Sequence, residues 1–271
     1  MKAYVTLLSN ERYLKGVLAL NQSLIENSCQ YPLYCMLSKD ADKSLEDSLD
    51  KYGIKYIRFM SDTLNSEATN EGRLFYTHWS FTFDKLHVWG LTQFEKIVFL
   101  DSDMIVLDNL DNLFDAPPFS AVVSGGKYCG WTTFNSGLMV VKPDKQVETD
   151  LVKLAPEVIK KFRDKEQNVG DQDVLHAYLL DWEYDSSLAL DEGYNIFADF
   201  LHHYIRRFGY SWRQGKNKKI RVIHFIGHTK PWTRKSLREK LWICKISLTN
   251  PYYALAYIKF FGFLKRALGK A

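Results

Sequence analysis

Between residues 3 and 59 the chain repeats one pattern: a short run rich in β-branched and aromatic residues, a polar turn, then a longer segment with apolar residues at helical spacing. Residues 3–8 read as a strand, Ser9-Asn10 as helix-capping residues, and 13–27 as a helix on which Leu14, Val17, Leu18 and Ile25 share a face. Residues 31–37 form a second strand, 44–52 a helix closed by Gly53, and 54–59 a third strand. Consecutive strands can run parallel only if the chain crosses over between them, and a helix is the usual crossover. The alternation therefore predicts a parallel sheet covered by helices. A length of 271 residues supplies one large α/β domain, with or without a short appendage.

Further on, 61–72 is polar and patternless, 81–90 resumes helical spacing, and 97–100 is an apolar strand. After Pro117-Pro118 come a short strand at 121–123, a glycine-containing loop and a strand at 137–141. Residues 144–164 and 172–180 read as helices, and 221–225 as a late strand containing His224. The sequence contains no internal repeat and no linker.

The hydrophobic share of 46% and charged share of 25% are those of an ordinary globular protein. Aromatic residues, at 15%, suit either ring-shaped ligands or a large aromatic core. A net charge of +4, spread evenly over most of the chain, argues against nucleic acid as a partner. Its excess gathers late, in Arg206-Arg207, in 216–221 and in 235–270, where Glu239 is the lone acid. Cys29, Cys35, Cys129 and Cys244 form no Cys-x-x-Cys pair, so neither a zinc knuckle nor a redox motif is indicated and a reducing compartment is expected. Met1-Lys2-Ala3 runs straight into the first strand, leaving no room for a signal peptide. The most apolar stretch, 252–264, contains Lys259 and falls short of the roughly 20 residues of a spanning helix.

The sharpest chemical feature is Phe99-Leu100-Asp101-Ser102-Asp103, an apolar strand that runs into two carboxylates. Residues at i and i+2 of a strand share a face, so two oxygen ligands are expected to converge at a strand's carboxyl end, where open α/β sheets bind ligands. Such oxygens suit manganese or magnesium. His224 ends another apolar strand within His224-Phe225-Ile226-Gly227-His228-Thr229-Lys230-Pro231-Trp232. An imidazole beside carboxylates favours manganese over calcium, Gly227 permits close backbone approach, and Lys230 supplies a cation for a diphosphate. His228 reads as a surface residue. Phe134-Asn135-Ser136-Gly137 and Gly170-Asp171-Gln172-Asp173 place small polar and carboxylate side chains at element starts, although each read alone is also an ordinary turn or helix cap.

Taken in order, these motifs resemble the glycogenin-like branch of the family-eight glycosyltransferases, which are retaining, GT-A type, manganese-dependent enzymes that use nucleotide sugars. The resemblance runs through Val5-Thr6-Leu7 with Ser9-Asn10 and Tyr13, Lys85-Leu86-His87 with Trp89, 99–103, 134–137, 170–172, and 224–227 with Lys230-Pro231-Trp232. It implies an α/β fold: a single Rossmann-like nucleotide-sugar-binding domain over residues 1–234, with a mixed, mainly parallel central sheet flanked by helices; a basic, aromatic, helical C-terminal tail over 235–271 lies beyond the last matched motif. It also implies that Leu7, Ser9, Asn10 and Tyr13 hold uracil and ribose, that Ser102 lies against the donor nucleotide, and that Asp101, Asp103 and His224 hold the metal. Gly227 and Lys230 would meet the diphosphate. Lys85, Asn135, Ser136, Asp171 and Gln172 would surround the hexose, with Asp171 the foremost catalytic candidate and Gln172 and Lys85 beside it. Where glycogenin carries a further aspartate three positions before the counterpart of Asp171, this chain has Asn168. Tyr194 and Tyr204 lie in the region of glycogenin's self-glucosylated tyrosine, in different surroundings.

The expected activity is transfer of glucose or galactose from UDP-glucose or UDP-galactose, with manganese (magnesium also admitted), to a saccharide or glycolipid. The alternatives are a self-glucosylating primer, a hydrolase of the same donor and a non-catalytic binder. Asp171 would serve either as nucleophile of a double displacement or as an orienting group. Lysine and arginine mixed with aromatics in 235–271 suit the headgroup region of a membrane, with packing onto the domain as the alternative. The expected location is cytoplasmic, peripheral on the membrane's cytoplasmic face, with a dimer left open.

Overall fold

The computed structural model describes residues 1–38, 41–59, 77–213, 216–227 and 229–269, with 77–81 described by backbone alone. The segment 61–72 and His228 therefore lie outside the described residues. Strand β1 (Lys2–Leu7) leads through helix α1 (Leu14–Glu26) to β2 (Leu33–Leu37), then through α2 (Ser44–Lys51) to β3 (Lys55–Arg58). With β4 (Lys96–Leu100), β6 (Ala121–Val122) and β7 (Asn135–Val141) they form one sheet in the order β3-β2-β1-β4-β7-β6. The pairs β1/β2, β2/β3 and β1/β4 are parallel, whereas β7 runs antiparallel to both β4 and β6. The sheet is mixed and mainly parallel, as the resemblance implies; the alternation of elements accounts for its parallel strands and not for the antiparallel β7.

Both faces of this sheet are buried, which is why its central strands are continuously apolar. On β1, Ala3 and Val5 pack into one core while Tyr4 packs into the other. On β4, Ile97 and Phe99 point one way, Val98 and Leu100 the other. One face is covered by α1, the other by α4 (Lys145–Arg163) and α5 (Asp171–Tyr178). Asp144 caps α4 by accepting from the backbone N–H of Gln146. Between Gly125 and Gly130, both at positive φ, lies the single turn α3 (Gly126–Cys129).

Two local expectations change. Residues Thr77–Gly90 wind as a 3-10 helix rather than an α-helix. Three residues per turn align Phe83, Leu86 and Trp89 in one buried stripe. A second, three-stranded sheet of β5 (Met104–Val106), β9 (Val222–His224) and β8 (Ile196–Phe197), ordered β5-β9-β8, carries two strands too short for any sequence period to reveal.

The tail divides. Helix α8 (Pro251–Leu268) lies along α1 and buries Tyr253, Ala256, Phe260, Phe263, Leu264 and Ala267 in the same core as Tyr4 and Val17. Phe260 stacks on Trp232 at 5.2 Å, and Arg266 Nε meets Glu26 Oε1 at 2.5 Å. The stretch 252–264 thus packs Tyr253, Ala256, Phe260, Phe263 and Leu264 against the domain, whereas Leu255, Ile258 and Phe261 on its other face stay exposed. Helix α7 (Leu237–Thr249), capped by Ser236 and Glu239, has no buried residue and leaves Leu237, Leu241, Trp242 and Leu248 exposed. Helix α6 (Leu201–Arg206) completes the described α-helices.

Candidate active site

The strand order reverses at β1, since the chain proceeds from β1 to β2 and β3 on one side and returns to β4 on the other. The crevice outside the carboxyl ends of β1 and β4 is where such sheets bind nucleotides. Leu7 ends β1 there, followed by Ser9, Asn10 and Tyr13. Asn10 caps a 3-10 turn at Glu11–Tyr13 by accepting from the backbone N–H of Arg12. Tyr13 packs edge-on against Trp232, whose Nε1–H donates to the carbonyl of Arg12 at 2.6 Å. The first loop and the segment after β9 are thereby joined.

Asp101, Ser102 and Asp103 follow β4 as a turn into β5, not as a continuing strand. The two carboxylates therefore converge by the turn and not by the period-2 alternation expected from the sequence. Met104 pairs with His224 in register, and the backbone N–H of Phe225 donates to the carbonyl of Asp103 at 2.9 Å. This pairing brings His224 across 120 residues of chain to the turn. His224 Nε2 lies 3.1 Å from Asp103 Oδ1 and 3.8 Å from Asp101 Oδ2. One ligand atom from each of the three lies within 4.8 Å of the others. Among the described residues this trio alone has that geometry, and two carboxylates with one imidazole fit a hard divalent ion.

The imidazole's tautomer follows from a chain of amides that begins on the backbone. The N–H of Ser136 and the Nδ2 of Asn135 donate to Gln172 Oε1 at 3.1 and 3.0 Å. The N–H of Gly137 and the Nδ2 of Asn195 donate to Asn135 Oδ1 at 3.1 and 2.8 Å. A backbone N–H can only donate, so each amide's orientation is fixed in turn. That leaves Asn195 Oδ1 to accept from His224 Nδ1 at 3.1 Å and leaves the Nε2 lone pair for a metal. Asn195 is wholly buried, and no spacing in the sequence marks it. Gly137 must be glycine, because a Cβ there would sit 2.6 Å from His224 Cε1. Gly16 must be too, with a Cβ 2.3 Å from the carbonyl of Ser102. A glycine inside the apolar pattern of 13–27 was the available signal for that close approach.

Beside the trio, Lys85 Nζ bridges Asp101 Oδ1 at 3.0 Å and Asp171 Oδ2 at 2.9 Å. Asp171 opens α5 and also accepts from Ser136 Oγ at 2.7 Å. Lys230 Nζ meets Asp103 Oδ2 at 2.5 Å and the carbonyl of Phe225 at 2.8 Å. Burial disfavours the charged carboxyl of Asp103, but Lys230, joined by His224 when its ring is protonated, outweighs it and holds that group far below the usual carboxylate range. Asp101 is raised, by burial first and by the neighbouring Asp103 next, with Lys85 opposing. Lys85 is raised: burial works downward, and Asp101 and Asp171 overcome it. Gly227 adopts φ +83° with open space where a Cβ would stand.

The structure thus gathers Lys85, Asp101, Ser102, Asp103, Asn135, Ser136, Asp171, Gln172, His224 and Lys230 in one connected group, with Leu7 to Tyr13 and Gly227 at its edge. Asn168 is exposed. Tyr194 and Tyr204 are buried: the Tyr194 hydroxyl accepts from Asn112 Nδ2 at 2.6 Å, and that of Tyr204 donates to Glu192.

The family model for glycosyl transferase family 8 matches residues 4–236. Glycogenin-1 of Caenorhabditis elegans is 34% identical over 237 residues, 85% of this chain and 51% of that protein. Glycogenin-1 of Mus musculus is 33% identical over 234 residues, 85% of this chain and 65% of its own. The chain thus spans about half to two thirds of the length of these curated relatives. Among solved structures, an active-site mutant of LgtC superposes with a TM-score of 0.64 at 15% identity, covering 92% of this chain and 96% of that one. Apo GlyE from Streptococcus pneumoniae gives 0.61 at 19% identity, covering 98% and 64%. Those two likenesses concern the fold; the family match, over most of the chain and through each part of the crevice described above, shows that this protein belongs to glycosyl transferase family 8.

Proposed function

We propose that the protein is a retaining hexosyltransferase that takes glucose or galactose from a UDP-sugar and passes it to a hydroxyl of a saccharide or lipid-linked saccharide. The observation that carries this reading is the trio Asp101, Asp103 and His224 at the β1/β4 crevice, with Lys230 on one side and the Lys85–Asp171–Ser136 group on the other. Asp101, Asp103 and His224 would hold a divalent ion, manganese by their mixed oxygen and nitrogen ligands, which would supply Lewis acidity toward the diphosphate. Lys230 adds a positive charge where the leaving uridine diphosphate gains a negative one. Leu7, Ser9, Asn10 and Tyr13 receive the nucleoside, and Gly227 leaves room for the phosphates.

In the reaction the acceptor oxygen bonds to the anomeric carbon as the bond from that carbon to the phosphate oxygen breaks. The acceptor's proton leaves on the departing diphosphate. Asp171 Oδ2 already accepts from Lys85 and Ser136, which favours an orienting role over that of a free nucleophile. Burial of Tyr194 and Tyr204 favours a separate acceptor over these hydroxyls of the chain itself. The direct test is UDP release from UDP-glucose and UDP-galactose with manganese, with and without a chelator. No metal-dependent release from either donor would refute the reading.

A peripheral site on the cytoplasmic membrane face goes with it. Its support is α7, whose exposed Leu237, Leu241, Trp242 and Leu248 stand among Arg234, Arg238, Lys240 and Lys245. All four cysteines are free, in keeping with a reducing compartment.

A further inference from the structure

A second cluster of rings reaches the metal trio by a route that the nucleoside side does not use. Phe197, on β8, packs edge-on against His224 at 5.5 Å. Trp131 packs on Phe197 at 6.3 Å and on Phe200 at 6.0 Å, yet remains 49% exposed. Tyr128, 38% exposed, packs on Phe200 and stacks on His203 at 4.0 Å. Two large aromatic rings therefore lie open on this side, Trp131 separated from the His224 imidazole by the one buried ring of Phe197, and Tyr128 one ring further out behind Phe200.

The loop that bears them is built to stay in place. Gly125 takes φ +96°, and a Cβ there would come within 2.8 Å of the Trp131 ring. Gly130 takes φ +72° to close the α3 turn. The buried carboxylate of Glu192 accepts from the backbone N–H of Lys127 at 3.2 Å, from Lys127 Nζ at 2.7 Å and from the Tyr204 hydroxyl. A buried charge costs free energy unless it is satisfied. Here its partners are the loop's own backbone and the helix that supports Tyr128, so the carboxylate fixes a surface whose exposed product is two rings.

We propose that Trp131, flanked by Tyr128, is the platform on which the acceptor's sugar ring stacks, which makes the acceptor a pyranose-containing saccharide. The inference rests on the transferase reading above and names its acceptor class. One face of a pyranose carries C–H bonds and its rim carries hydroxyls, so a ring laid on indole buries its apolar face while its rim points toward the trio. The donor's uracil does not compete for this surface, since the Tyr13 and Trp232 side approaches the trio through Lys230 and Ser102.

The test measures binding of lactose, maltose, cellobiose and methyl glucosides to protein loaded with manganese and UDP, by saturation-transfer NMR and titration. Wild type, Trp131→Ala and Trp131→Phe are compared, with calorimetric UDP binding as a check that each variant is folded. The expected result is binding of at least one of these sugars by wild type, weakened about tenfold or more in Trp131→Ala and largely restored in Trp131→Phe. Equal affinity in wild type and Trp131→Ala overturns the platform, as does binding of none of the sugars by wild type. A hexose found on Tyr128 by mass spectrometry, after incubation with UDP-glucose or UDP-galactose alone, also overturns it. Should neither donor be turned over while a sugar still binds through Trp131, the transferase reading falls and the platform stands.

Discussion

Replacing Asn195 by alanine removes the acceptor that holds the His224 Nδ1–H, 3.1 Å away, and one of two donors to Asn135 Oδ1. The second loss is mild, because the Gly137 N–H still donates to that oxygen at 3.1 Å. The first leaves a polar group unpaired on an imidazole that is 4% exposed, which costs about 1–3 kcal/mol of stability. Its specific effect is on the metal: with Nδ1 no longer held, Nε2 ceases to be committed as the free lone pair, and loss of such a partner weakens metal binding by about 10–100-fold. That factor corresponds to about 1.4–2.7 kcal/mol. Calorimetric titration of manganese in the presence of UDP reads the affinity, and thermal unfolding reads the stability. Asn112→Ala serves as control, since it deletes the bond from Asn112 Nδ2 to the Tyr194 hydroxyl without touching the amide chain. A manganese affinity within twofold of wild type in Asn195→Ala, with stability alone reduced, refutes the positioning role.

Asp103→Asn removes a carboxylate that faces both His224 and Lys230, and is expected to abolish metal-dependent turnover with the fold retained by circular dichroism; full turnover by this variant sinks the metal assignment. Asp171→Asn should lower kcat far more than it weakens donor binding, and a change confined to the donor KM would make Asp171 a binding residue only. Gly137→Ala should cost about 1–3 kcal/mol in thermal or urea unfolding and weaken manganese binding as well, because its Cβ would press on His224 Cε1 at 2.6 Å. Truncation after Thr233 would strip α8 from α1, so membrane contact is better tested by Leu237→Gln, Leu241→Gln and Leu248→Gln together. Sedimentation with anionic vesicles should be lost in that triple variant and remain in wild type at low salt, and equal sedimentation of the two, or none by either, rejects the α7 contact.

The sequence by itself determined the parallel core. Strands β1, β2 and β3 and helices α1 and α2 were legible because each is a local event: short runs of apolar and aromatic residues, apolar residues at helical spacing, and polar turns between them. Asp101 and Asp103 were legible for the same reason, as charges that interrupt a buried strand. Tertiary structure decided how they converge, through a turn into β5, a strand of three residues that leaves no period to read. It also decided that His224 meets them, since the β5/β9 register is a pairing between distant segments that no local propensity encodes. The apolar stretch 252–264 shows the same limit. Composition alone left it suited to lipid or to protein, and the presence of α1, with a matching apolar face more than 200 residues earlier in the chain, sends Tyr253, Phe260 and Phe263 inward while Phe261 stays exposed. Asn195 was invisible for a related reason: a buried amide is defined by its partners, and those partners, Asn135 and His224, come from two other strands.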